Sequence, residues 1–420
     1  MATAPGGDAP ATAVDSRQAW LRLAVTVLVG TIGSVGMWSV VVALPAVQAE
    51  FGSARGAAAL PYTLTMLGFA LGSVLMGRLV DRFGVAPPLA GAAVAIGLGY
   101  LGAAASGSLW QFTLAQGLVV ALCGSSIAFS PLIADISRWF LRRRGIAVAA
   151  VASANYLAGT IWPPVVQHFI EAVGWRATHA GIGLLCTATL LPLALLLRQR
   201  APAAAGQPAG GARAGGRPGL GLPPGVLQGL LVVAGLACCV AMSMPQAHIV
   251  AYCGDLGYGV ARGTTMLSLM LGFGIVSRLA SGLIVDRIGG LPTVLLGSSL
   301  QGVALLLYLF FDGLGALYVV SALFGLFQGG IVPSYAIVVR ENFPAEEAGV
   351  RVGLVLMATM LGMALGGWLS GVIFDLTGSY HAAFLHGLLW NLLNVSIVAW
   401  LLRRGATRRG APRAALAGLG

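Results

Sequence analysis

Residues 269–290 read LMLGFGIVSRLASGLIVDRIGG, an apolar and small-residue run interrupted by one guanidinium, Arg278, ahead of Asp286 and Arg287. An arginine at the centre of a helix in lipid costs about 2.5–3.5 kcal/mol on insertion scales, so it calls for an acceptor. Eight residues separate Arg278 from Asp286; at a rise of about 1.5 Å per residue the side chain starts about 12 Å inward, too deep for easy snorkelling. No Asp or Glu lies in the middle of any apolar run. An exogenous carboxylate is the economical partner, because the planar fork binds it bidentately. The alternative is a guanidinium satisfied by backbone carbonyls or a distant acid. A single permanent cation favours a monocarboxylate over a dicarboxylate, unless a protonated histidine adds a second charge.

His248, next to Gln246 and just past Pro245, is the best candidate for that histidine, and its imidazole could also carry a proton. A satisfied core histidine is the plainer reading. Tyr335 beside Pro333 and Ser334, Asn155 with Tyr156, and Gln116 could each offer a polar group to a cavity, or serve only as glue between helices. Tyr62 is placed to close an outer gate. The five cysteines form no C-x-x-C pair and nearly all lie in apolar runs, so they read as small buried hydrophobes. No nucleophile–base set and no metal-ligand cluster is visible. The expectation is therefore a protein without cofactor or metal that is not an enzyme.

The elements that must hold these residues follow from composition. The chain has 420 residues, 58% hydrophobic and 9% charged, with a mean hydropathy of +0.89. Soluble domains carry about 25% charged residues, so this is a chain made for lipid. Apolar runs long enough to cross a bilayer predict twelve helices, at 20–44, 58–80, 86–106, 109–134, 145–170, 177–197, 225–252, 262–285, 291–311, 314–339, 349–374 and 380–402. A disordered lead-in over 1–19, a Gly/Pro/Ala linker over 198–224 and a tail over 403–420 complete the expected organisation, with six-helix bundles at 20–197 and 225–402. The net charge of +11 sits at helix ends rather than in one basic patch, which argues against nucleic acid as a partner. All 24 basic residues are arginine, a bias expected of a GC-rich, bacterial genome. Outer loops hold only Arg55, Arg176 and Arg262, whereas inner segments hold Arg142–Arg144, Arg198, Arg200, Arg403, Arg404, Arg408 and Arg409. Both termini are thus expected in the cytoplasm.

The halves repeat. GRLVDRFG at 77–84 is echoed by GLIVDRIG at 282–289; Asp81 and Asp286 are 205 residues apart, and Glu171 and Asp375 are 204 apart. One offset for parallel halves implies pseudo-twofold symmetry about the membrane normal. Twelve spans, this repeat and Gly77, Leu79, Asp81, Arg82 and Gly84 in the loop after the second span resemble the major facilitator superfamily; the second copy keeps Gly282, Asp286, Arg287 and Gly289, with Ile284 for the leucine. The resemblance implies an all-α membrane fold of two six-helix bundles, a monomer, and alternating access to a cavity lined by spans 1, 4, 7 and 10. It also implies a cytoplasmic latch. Asp81 would accept hydrogen bonds at a neighbouring helix N-terminus, Arg82 would pair with Asp135, and Arg287 with Glu341.

The stretch Arg138, Trp139, Phe140, Arg143, Arg144, Gly145, together with Arg278 in the eighth span, resembles bacterial members of the monocarboxylate transporter group and the oxalate:formate antiporters. The lysines of the animal monocarboxylate transporters and of the oxalate carriers are absent. The implied function is secondary active transport of a small monocarboxylate, with a proton, across a bacterial inner membrane. Organic-anion or drug efflux, or a sensor that binds without transport, are the alternatives. Arg278 has no counterpart in the first half, where Ser73 occupies the equivalent position.

Overall fold

Among the described residues, the length and apolarity read from the sequence become eleven helices able to cross a bilayer and one bent pair that makes a twelfth. A computed structural model describes residues 14–200 and 220–417, with side chains for all of these but 345–346 and 407–417. In chain order the spans are α1 (Arg17–Phe51), α2 (Arg55–Phe83), α3 (Ala86–Ala104), α4 (Leu109–Leu122 with Ser125–Ile136), α5 (Arg144–Val173) and α6 (Trp175–Leu196). They continue as α7 (Pro224–Asp255), α8 (Val260–Ile288), α9 (Gly290–Phe310), α10 (Leu314–Asn342), α11 (Glu347–Thr377) and α12 (Tyr380–Ala406). Every regular element among the described residues is a helix. Most of the expected lead-in and linker falls on 1–13 and 201–219, outside the described residues. Residues 14–16 are ordered, contrary to a free lead-in running to 19. The Ser16 hydroxyl accepts from the Ala19 amide and starts α1, as an N-cap serine should.

The last glycine of each motif copy has a backbone reason. Gly84 and Gly289 end α2 and α8 with φ of 81° and 88°, a region that side-chain-bearing residues avoid. Among the described residues four helices depart from regular geometry, α2 among them, with a turn at Ala59 between Arg55–Ala58 and Leu60–Phe83. In α1 the chain breaks at Ser34. The α4 pair bends by 41° after a π-helical stretch at Ala115–Leu122. In α10, Gly329 and Gly330 separate Leu314–Gln328 from Ile331–Asn342. Pro245 lies inside α7, which stays helical from Pro224 to Asp255.

Two compact units are present. The first comprises the described part of 1–205 with 246–272 and 367–378. Its core includes Ile96, Tyr100, Val120, Trp139 and Leu190, all fully buried. Here α2 packs backbone-to-backbone on α4: a Cβ on Gly68 would strike the Gly117 carbonyl, and one on Gly72 the Leu122 carbonyl. The second unit comprises the described part of 206–245, 273–366 and 379–420. In it Tyr308 stacks on Phe384 at 4.9 Å, its hydroxyl sharing a 2.8 Å hydrogen bond with Ser321. A Cβ on Gly362 would meet the Leu236 carbonyl, and one on Gly366 the Val240 carbonyl. Small residues thus let helices approach, as is general in membranes.

Gly68→Leu should therefore lower the thermal unfolding midpoint of the purified protein by at least about 3 °C. Gly77→Ala, where an added Cβ meets nothing within 4 Å, should leave it unchanged or slightly raised. Thermal scans in detergent compare the two.

Candidate functional site

In the first unit, Asp135 lies near the end of α4 and is buried. Its carboxylate is held by Arg22 of α1, whose Nε and Nη2 donate to Oδ2 at 3.1 and 2.8 Å. The same guanidinium donates to the Leu197 carbonyl at 3.4 Å and stacks 4.5 Å from the Trp139 ring. The expected Arg82–Asp135 pair is therefore replaced. Arg82 lies over the Phe83 ring at 5.2 Å, exposed at the end of α2. The distance in sequence hid the true partner: Arg22 and Asp135 are 113 residues apart.

Trp139 and Phe140, the aromatic pair of the basic loop stretch, have packing roles. Trp139 supports Arg22, and Phe140 meets Trp20 edge-on at 5.1 Å. The loop is tied to the chain ahead of α1, because Asp15 Oδ2 accepts from the Leu141 and Arg142 amides at 3.2 and 3.0 Å.

Asp81 faces Arg138 across 3.7 Å, both partly or largely exposed. In the second unit Glu341 occupies a helix N-terminus, accepting from the Gly290 amide at 3.2 Å through both oxygens. That position favours an anion through the helix dipole. Asp286 and Arg287 are exposed. Cβ atoms on Gly77 or Gly282 would meet nothing within 4 Å.

The mid-span candidates fall in both units. Gln246, His248, Asn155 and Gln116 belong to the first, Arg278 and Tyr335 to the second. Gln116 is buried and donates to the Gly36 carbonyl at 2.8 Å, joining α4 to α1. Asn155 takes the Trp38 indole N–H on its side-chain oxygen at 3.0 Å. Tyr335 is fully buried, and its hydroxyl donates to Asn394 Oδ1 at 3.0 Å, while Asn394 donates to Ser298. Tyr335 and Gln116 both direct a polar group into helix packing, the glue role that the sequence left open beside a cavity role. His248 is fully buried, with Nε2 2.7 Å from the Gly367 carbonyl. A carbonyl only accepts, so Nε2 carries the proton.

Arg278 is half-buried on α8, and its Nε donates to the Gly329 carbonyl at 3.4 Å, at the break in α10. The adjacent Ser277 hydroxyl accepts from the Gly330 amide at 3.2 Å. The first half makes the matching contact. Ser73 Oγ donates to the Ser126 carbonyl at 3.3 Å, beside the bend in α4. Position 73/278 therefore bonds the irregular fourth helix of its half in both copies, and only the second copy adds a charge.

Sequence reasoning missed Arg55, Asp255 and Asp375 as a cluster. Arg55 Nη2 reaches Asp255 at 2.8 Å, and the Arg55 and Gly56 amides donate to Asp375 at 2.8 and 2.6 Å. Two of the three arginines expected in outer loops are paired, because Arg176 also binds Glu50, at 2.5 Å. The signal was the scarcity of charge in those loops: each arginine there needed matching against an acid at the same end of the helices.

Helices of this number, length and apolarity, with irregular fourth helices in both halves, define a multi-pass, all-helical membrane fold. The family model described as Major Facilitator Superfamily matches residues 26–314 and 282–418, and the chain belongs to that family. Among curated relatives, Monocarboxylate transporter 13 of Bos taurus is 28% identical over 324 residues, spanning 74% of this chain and 72% of that one. The MFS-type transporter pynF of Aspergillus niger is 25% identical over 311 residues, covering 73% and 69%. Among solved structures, the nucleoside transporter NupG superposes with a TM-score of 0.70 at 14% identity, over 92% of this chain and 99% of that one, a likeness of fold alone.

Arg22→Met should destabilise the protein by about 3–5 kcal/mol, since it leaves a buried carboxylate without its partner. The double variant Arg22→Met/Asp135→Leu should recover most of that loss. Arg82→Met should have little effect. Denaturant or thermal unfolding of the four proteins orders them.

Proposed function

We propose that this protein moves small monocarboxylates across the membrane by alternating access, coupled to protons, with Arg278 as the cation that receives the carboxylate. One observation carries the reading. Arg278 is a charge at mid-span depth in a chain whose acids all lie near helix ends or in loops, and its structural counterpart Ser73 makes the same backbone bond without the charge. A residue needed only for the repeated mechanics should recur in both halves. One that appears once is better suited to hold a substrate. Broken helices at a mid-membrane site are a recurrent feature of transporters, and Arg278 lies against one. The relative named a monocarboxylate transporter supports the substrate class.

His248, in its doubly protonated, cationic form and with Gln246 beside it, is the proposed second contributor. It is also the proposed proton carrier, because a carboxylate that crosses with one proton moves no net charge against the membrane potential. Asp81, Arg82, Asp286 and Arg287, with the open space at Gly77 and Gly282, are the proposed inner latch, closed while the site faces outward. The linker between the two six-helix bundles and the N-tail are proposed to lie in the cytoplasm, the side where arginine accumulates, and the arginine-only composition supports a bacterial inner membrane.

The test is uptake of a labelled monocarboxylate, chosen by a thermal-shift screen, into proteoliposomes. Arg278→Ala should abolish both stabilisation and uptake. Arg278→Lys, which keeps the charge without the fork, should retain a residual fraction. An inward proton gradient should accelerate uptake. Stabilisation that survives Arg278→Ala removes the substrate assignment, and uptake indifferent to the pH gradient removes the coupling.

A further inference from the structure

The outer corner between α1 and α2 carries a set of contacts that substrate binding does not require. Arg55, the first residue of α2, has its side chain nearly buried, with Nη2 on both oxygens of Asp255 at 3.0 and 2.8 Å. Asp255 is the last residue of α7. The backbone amides of Arg55 and Gly56 meanwhile donate to the two oxygens of Asp375, near the end of α11. Phe374 lies under the guanidinium at 5.1 Å.

Each part of this cluster has a physical reason. The first amides of α2 lack intrahelical acceptors, and the dipole there favours a carboxylate, which Asp375 supplies. The same dipole opposes the Arg55 charge, and Asp255 offsets it. Close approach is possible because both backbones are bare. A Cβ on Gly371 would come within 2.9 Å of the Arg55 carbonyl, and one on Gly56 within 2.8 Å of Val372 Cγ2. Two turns further inward the α7–α11 seam continues with the bond from His248 to the Gly367 carbonyl. A cavity of about 420 Å³, lined in part by Gln48, Ser53, Arg55, Gly254 and Asp255, adjoins the Arg55–Asp255 pair.

We infer that Arg55, Asp255 and Asp375 form an outer latch: the corner opening α2 in the first half is clamped to the outer ends of α7 and α11 in the second, and the clamp must release each time the site faces outward. The segments 246–272 and 367–378 group with the first half, as this clamp requires. The latch is charged at its rim and backbone-tight beneath, so it releases by unpairing two exposed carboxylates rather than by repacking a core. The inference rests on alternating access but not on the identity of the substrate.

Nitroxide labels at Ala54→Cys and Leu376→Cys, both exposed, in a background lacking the native cysteines, read the distance across the latch without any ligand. The unmodified latch should give a predominantly short distance. Asp375→Asn, Asp255→Asn and Arg55→Ala should each raise the longer-distance population by about fivefold, the scale of a lost helix cap. The exchanged pair Arg55→Asp/Asp255→Arg should return it toward the short distance. Hydrogen exchange across 367–378, measured with the native cysteines in place, should rise in the same single variants. Unchanged distances and exchange in Asp255→Asn and Asp375→Asn, which keep side-chain shape, would overturn the latch while leaving the Arg278 proposal standing.

Discussion

Hydrocarbon offers no hydrogen bonds, so every polar group at membrane depth must find a partner inside the protein. That constraint sorts this chain's few charges. Carboxylates lie near helix ends and in loops, where they meet arginines or the bare amides of a helix N-terminus. Asp135 with Arg22, Glu341 on Gly290 and Asp375 on Arg55 and Gly56 are three solutions to one problem. Glycines solve the complementary problem of steric approach, because backbone contact between α2 and α4, or α11 and α7, leaves no room for a Cβ.

Within that order, irregular backbone gathers at the fourth helix of each half. The bend in α4 and the break in α10 expose carbonyls that Ser73 and Arg278 then satisfy. The two halves use one geometry and different chemistry, a hydroxyl in one and a guanidinium in the other. The fold's symmetry and its asymmetry meet at the same position.

Much of the architecture was legible in the sequence because its cause is local. Apolar run length marked the spans, and the glycine of each DRxG copy marked a helix end that needs positive φ. The identity of ionic partners was not legible. Asp135 could be assigned to Arg82 by proximity to the motif, yet a buried carboxylate was claimed by Arg22, which brings two donors and a supporting indole. Arg55 meets acids 200 and 320 residues away, a separation no local pattern encodes. Tyr335 and Gln116 looked available as polar groups, but burial commits them to neighbouring helices. Arg278 stood out as a mid-span charge, whereas its bond to Gly329 depends on where α10 breaks.

The tie between Asp15 and the loop after α4 reaches beyond the membrane. Two loop amides depend on that single carboxylate, and Asp15 itself donates its amide to the Trp139 carbonyl at 3.0 Å. The described chain ahead of α1 and the basic loop are therefore one mechanical piece. For anyone shortening or tagging the protein, the first residue of α1 is the wrong place to cut. A fusion joined ahead of residue 14 would hang from a fixed anchor, whereas trimming to Arg17 would strip the loop of its brace and loosen the aromatic platform beneath Arg22.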